Sequence, residues 1–214
     1  MNEAGLRSQI VAVAQAIDKA GFCPSKSGNV SARFGDGLLI TPSGLPYAQT
    51  TPEDLIHLSL DGAVLSGVRK PSSEWPFHVE IYKARPDAQA IVHTHSPRAT
   101  ALSCTRRGIP AFHYMIALCG GEDVRCAPYA TFGTPELAEN AVKALEGRKA
   151  VLLANHGVIA LGGSLAGAHQ IVAEVENLAG QYLDILAAGL EPVILDEAEM
   201  ARVSAKFAGY GKVG

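Results

Sequence analysis

The 214-residue chain is poor in cysteine, and neither sign of charge is in large excess. Its four cysteines, Cys23, Cys104, Cys119 and Cys126, form no C-x-x-C pair, which argues for reduced thiols and against a disulfide framework. Eighteen basic residues against 21 acidic ones leave a net charge of −3, without the basic excess that nucleic-acid binding requires. No stretch approaches the ~18 consecutive apolar residues of a membrane span. The N-terminus carries Glu3 and Arg7 within an amphipathic pattern and lacks the basic start and apolar core of a secretory signal, so a cytoplasmic protein is expected. No repeat, low-complexity segment or linker divides the chain. One α/β domain over residues 1–214 is therefore expected, with 48% hydrophobic residues to fill its core.

Leu6, Ile10, Val13, Ala14, Ile17 and Ala20 recur at three- and four-residue steps, predicting an amphipathic helix over 3–20 ended by Gly21. A hairpin follows, with strands on either side of Gly35-Asp36-Gly37, and Ile56, Leu58 and Leu60 alternate as a further strand whose His57 is expected to face solvent. Further helices are predicted from about Glu74 to Ala84, from Pro97, from Pro135 to about Leu145, from Ser164 to about Ala188 and from Asp196 to near Ala208. The residues between Gly108 and Tyr129 fit no single pattern.

The chemistry concentrates between Pro71 and Pro97. In a strand over Ala90–His95, successive side chains alternate faces, so His93 and His95 share one side within a few ångströms. H-x-H alone is a weak signal. It gains weight from Glu74, at the start of the preceding helix, and from His156, which follows the apolar strand A-V-L-L-A directly, with Gly157 allowing an unusual backbone there. Three imidazoles and a carboxylate form a donor set for Zn²⁺ or a similar cation. Such a dication polarises a chelated ketone and hydroxyl and stabilises the charge released when an adjacent C–C bond breaks. His78, one turn beyond Glu74 among apolar residues, is expected in the core or behind the ligands. Gly28-Asn29, Ser43-Gly44 and Ser72-Ser73 are small polar pairs at strand or helix ends. Together they suggest a cradle for a phosphorylated substrate.

The segments G-N-V-S-A-R, L-I-T-P-S-G-L-P-Y, P-S-S-E-W-P-F-H, R-P-D-A-Q-A-I-V-H-T-H, I-P-A-F-H-Y-M-I-A, C-A-P-Y-A-T-F-G-T and A-V-L-L-A-N-H-G resemble the class II L-fuculose-phosphate aldolase family, in order and over nearly the whole chain. The resemblance implies a mixed α/β fold with a central, mainly antiparallel sheet, a homotetramer with sites at subunit interfaces, and one zinc ion per subunit. It assigns His93, His95 and His156 as zinc ligands and Glu74 as the fourth ligand and acid/base. Gly28, Asn29, Ser43, Gly44, Ser72 and Ser73 match phosphate-holding positions. Tyr114 matches a tyrosine that reaches a neighbouring subunit's site as proton donor, while Phe132 and Tyr210 match positions shaping the aldehyde side. Asn155 stands where close fuculose-phosphate aldolases tend to have histidine. The expected activity is cleavage of a ketose 1-phosphate to dihydroxyacetone phosphate and an aldehyde such as lactaldehyde. An epimerase, dehydratase or decarboxylase on the same scaffold, or a non-catalytic adducin-like module, is the alternative.

Overall fold

A computed structural model describes residues 2–209. Eight strands form one sheet in the order β4-β3-β2-β1-β5-β8-β7-β6, where β1 is Asn29–Phe34, β2 Gly37–Ile40, β3 Ile56–Ser59, β4 Val64–Ser66, β5 Ala90–Thr94, β6 Arg125–Ala127, β7 Ala150–Leu153 and β8 Gly157–Gly162. Every neighbouring pair is antiparallel except β6 and β7. The expected mainly antiparallel mixed α/β architecture is therefore present.

Helices cover both faces. On one side lie α1 (Glu3–Lys19), α3 (Pro97–Ser103) and α5 (Leu165–Ala187), where Ile10, Ile17, Leu102 and Val175 pack on Val30, Val92 and Val158. On the other lie α2 (Trp75–Ala84) and α4 (Pro135–Ala144), where Phe77, Ile81 and Leu137 meet Ile40, Ile91 and Ile159. The final helix, α6, spans Glu197–Gly209, and Asp196 accepts the Glu199 amide at its start. Because both faces are covered, the central strands are buried throughout rather than alternately, as in β5 and β8.

Three expectations need correction. His57 does not face open solvent: it is half-buried, its ring edge-on to Phe34 with centroids 5.1 Å apart. Glu74 is not inside the first turn of α2 but at its N-cap, with φ −98° and ψ 10°, because the helical run begins at Trp75-Pro76. Gly157 has no left-handed backbone, and the residue that does is Asn155, with φ 55°. Gly157 is glycine for another reason: a Cβ there would stand 2.4 Å from the Thr94 carbonyl.

Candidate metal centre

The sheet order brings together residues far apart in the chain. Strand β5 pairs with β1 on one side, Asn29 opposite His93, and with β8 on the other, His93 opposite Ile159. His93 therefore points to the α2 face beside Phe77, whose ring meets it edge-on at 5.4 Å. Chain reversal at Asn155-His156 returns His156 to the same place, and the N-cap of α2 presents Glu74. One donor atom from each of Glu74, His93, His95 and His156 lies within 4.8 Å of the others.

The proton positions follow from the partners. His93 Nδ1 lies 2.9 Å from the Val158 carbonyl, which can only accept, so Nδ1 carries a proton and Nε2 is the atom turned toward the other donors. That nitrogen faces His95 Nε2 at 3.0 Å. Burial first, then the neighbouring His93 and His156, pushes His95 down to about 3, so it is neutral at physiological pH. Two imidazole nitrogens this close require a proton or a cation between them. The Glu74 oxygens stand 3.0 Å from His156 Nε2 and 3.1 Å from His93 Nε2, and Oε1 is buried without a hydrogen-bond donor. Burial alone would raise the Glu74 carboxyl, but the potential of His93 and His156 outweighs it and holds the group well below the usual carboxylate range. An anionic oxygen with no donor and three converging imidazoles fit a divalent cation.

Behind the carboxylate runs a buried chain of polar groups. Asn29 Nδ2 donates to Glu74 Oε2 at 3.0 Å, its Oδ1 meets His78 Nε2, His78 Nδ1 lies 2.6 Å from Ser31 Oγ, and Ser31 Oγ lies 3.0 Å from Tyr82 Oη. His78 thus stands behind the ligands, as its apolar neighbours predict. The Asn29 side chain, expected at a phosphate, is instead engaged with Glu74 and only 1% exposed.

A cleft of about 270 Å³ opens over the donors. Ser27, Gly28, Ser73, Tyr129, Ala130, Phe132 and Asn155 line it together with the donors. Gly28 has φ 85°, and a Cβ there would stand 2.7 Å from the His93 carbonyl, so the loop lies directly on the ligand strand. Ser43-Gly44 is exposed at the next turn, held beside Ser72-Ser73 by a bridge between Pro42 and Pro71 and by the Ser43 amide on the Lys70 carbonyl. Ser72 is buried, and its hydroxyl accepts the Glu74 amide at 3.3 Å.

Tyr114 is not at this cleft. Half exposed, it stacks on Phe207 along a separate cavity of about 1060 Å³ beside α6. Tyr210 lies outside the described residues. Sequence reasoning did not assign Ser27, Tyr129 or Asn155 to the site. Tyr129 stands within C-A-P-Y-A-T-F and Asn155 within N-H-G, so the signal available was proximity to Phe132 and His156.

Comparison with known proteins agrees with this geometry. The family model for the Class II Aldolase and Adducin N-terminal domain matches residues 8–183. A 5-methylthioribulose-1-phosphate/5-deoxyribulose-1-phosphate aldolase from Rhodospirillum rubrum is 50% identical over 206 residues, covering 96% of this chain and 92% of that protein. An L-fuculose phosphate aldolase from Escherichia coli (strain K12) is 45% identical over 206 residues, covering 96% and 95%. Among solved structures, an L-fuculose 1-phosphate aldolase matches with a TM-score of 0.93 at 41% identity, covering 97% of this chain and 98% of that one. The chain belongs to the class II aldolase and adducin family, and within it to the metal-dependent aldolases, which are carbon–carbon lyases.

Proposed function

We propose that the protein cleaves a 1-phosphoketose, such as L-fuculose 1-phosphate, to dihydroxyacetone phosphate and a short aldehyde, with Zn²⁺ held by Glu74, His93, His95 and His156. The observation that carries this reading is the four-donor cluster lining a cleft whose other walls include Ser27, Gly28, Ser73, Tyr129 and Phe132. The sugars named for the relatives all bear a phosphate and a deoxy or methylthio far end, which suits a cleft lined by both small polar and aromatic residues. The bound dication supplies Lewis-acid polarisation of the ketose oxygens.

The chain's own residues do the rest. Gly28, Ser43, Gly44, Ser72 and Ser73 hold the phosphate through backbone amides and hydroxyls, beside Asn29, which orients Glu74. Phe132, with Tyr129 beside it in the cleft lining, excludes water from the aldehyde end. Cleavage breaks the C3–C4 bond, whose electron pair becomes a new C–H bond at C3, while the C4 hydroxyl loses its proton and becomes the aldehyde. Tyr114 of a neighbouring copy in a homotetramer handles the hydroxyl end and Glu74 the carbon end. In the condensation direction Glu74, ionised at neutral pH, removes the proton from dihydroxyacetone phosphate. The chain works as one domain, in the cytoplasm.

The test is a panel of L-fuculose, 5-deoxyribulose and 5-methylthioribulose 1-phosphates with dihydroxyacetone phosphate release followed by a coupled reductase, alongside metal analysis of the purified protein. Expected are release from at least one sugar and one zinc per chain. Epimerisation, dehydration or decarboxylation without dihydroxyacetone phosphate would overturn the reading.

A further inference from the structure

Among the described residues, four that are not glycine hold a left-handed backbone: Ser25, Lys26, Arg106 and Asn155. Left-handed backbone disfavours side chains and persists where the surroundings impose it, often around functional sites. Ser25 and Lys26 lead directly into Ser27-Gly28, which line the cleft. Arg106 and Asn155 meet although they lie in turns distant in sequence.

Their meeting is built from both backbone and side chain. The Ser103 carbonyl accepts the Arg106 amide at 2.9 Å and the Asn155 amide at 3.2 Å, so one oxygen joins the turn after α3 to the β7–β8 turn. Arg106 Nε then donates to Asn155 Oδ1 at 3.1 Å. A guanidinium has no acceptor to offer, so this bond fixes the amide: Oδ1 faces Arg106 and Nδ2 faces away. Among the described residues no acceptor pairs with Nδ2. Asn155 lines the cleft with His156, Tyr129 and Phe132. The cleft thus presents the Asn155 Nδ2 N–H donors among lining residues that include Tyr129 and Phe132, which the aldolase reading puts at the aldehyde end.

We infer that Asn155, paired with Arg106, is a specificity-determining residue that donates a hydrogen bond from Nδ2 to the C5 hydroxyl of the ketose, which is the 2-hydroxyl of the aldehyde released. This rests on the aldolase reading and deepens it. A substrate with both a hydroxyl and a methyl at that end satisfies the two features together, the hydroxyl on Asn155 and the methyl against Phe132. Asn155 and Arg106 are both exposed, so an alkyl or alkylthio end leaves the two donors to water and forgoes the bond that a hydroxyl would gain there. Arg106 acts through Asn155 and is a positioning residue.

Lactaldehyde and propanal differ by that one hydroxyl and are the probes, each condensed with dihydroxyacetone phosphate by the intact enzyme. The wild type is expected to prefer lactaldehyde. In Asn155→Gly, which keeps the left-handed backbone without strain, the ratio of kcat/KM for lactaldehyde to that for propanal falls about tenfold. Arg106→Met moves the ratio in the same direction by a smaller factor, about threefold, because the amide survives but is free to flip. Metal content of both variants, measured in parallel, stays at the wild-type level. An unchanged ratio in Asn155→Gly, or equal loss on both aldehydes, overturns the assignment and leaves the aldolase reading intact. Failure of the wild type to consume dihydroxyacetone phosphate with either aldehyde overturns both.

Discussion

Gly157→Ala tests whether the β5–β8 contact sets the position of the metal donors. The added Cβ would stand 2.4 Å from the Thr94 carbonyl and 3.1 Å from His95 Cδ2. Carbon–oxygen contacts settle near 3.3 Å, so the first approach is short by about 0.9 Å. The obstacle is backbone, not a side chain that can swing aside, so β5 and β8 must separate at this point. Thr94 lies between His93 and His95, and Gly157 follows His156, so the separation moves three donors relative to Glu74. Overpacking of this kind costs about 1–3 kcal/mol of stability, and displaced ligand support costs about 10–100-fold in metal affinity. Chemical denaturation and metal titration against a chromophoric chelator read the two effects. Wild-type metal affinity in a folded Gly157→Ala protein would refute the view that this contact positions the donors.

Two further outcomes are expected. Glu74→Gln keeps the bound metal, since three imidazoles and an amide oxygen remain, but lowers turnover by about 10²–10⁴-fold through loss of the proton-transfer group; unchanged turnover would remove Glu74 from that role. The second concerns pH. Burial, with the neighbouring His93 second, pushes His78 from its ordinary 6.5 down to about 3, so between those values the unfolded chain binds the extra proton and stability falls as pH falls. His78 contributes at most about 1.4 kcal/mol per pH unit, so His78→Gln should flatten the dependence of unfolding free energy on pH between 6.5 and 5. Parallel slopes for the two proteins would show that His78 is not the group responsible.

The periodic helices were legible because each carries its own signal: the apolar stripe of α1, Thr134-Pro135 opening α4, and Ser164 capping α5, whose side chain accepts the Gly167 amide. The short strands were not. β6 is three residues long and exists because β7 lies beside it, and β4 is fully exposed, so neither leaves a pattern in the chain. β8 was masked by burial on both faces, which removes the alternation a strand usually shows. At the site, the H-x-H spacing, the helix start at Glu74 and the N-H-G turn identify the donors before any coordinates. Asn29 shows the limit of that reading. Its type fits a phosphate loop equally well, and only the register of β1 against β5 reveals that it serves Glu74.

The ligand strand occupies an interior place in the sheet, hydrogen-bonded along both edges. His93 therefore cannot withdraw unless the ladder unzips, whereas Glu74 at a helix start and His156 in a chain reversal can each swing on local backbone changes. Exchange of a captured ion should begin on that looser side, with β5 acting as the anvil against which the other two donors open and close.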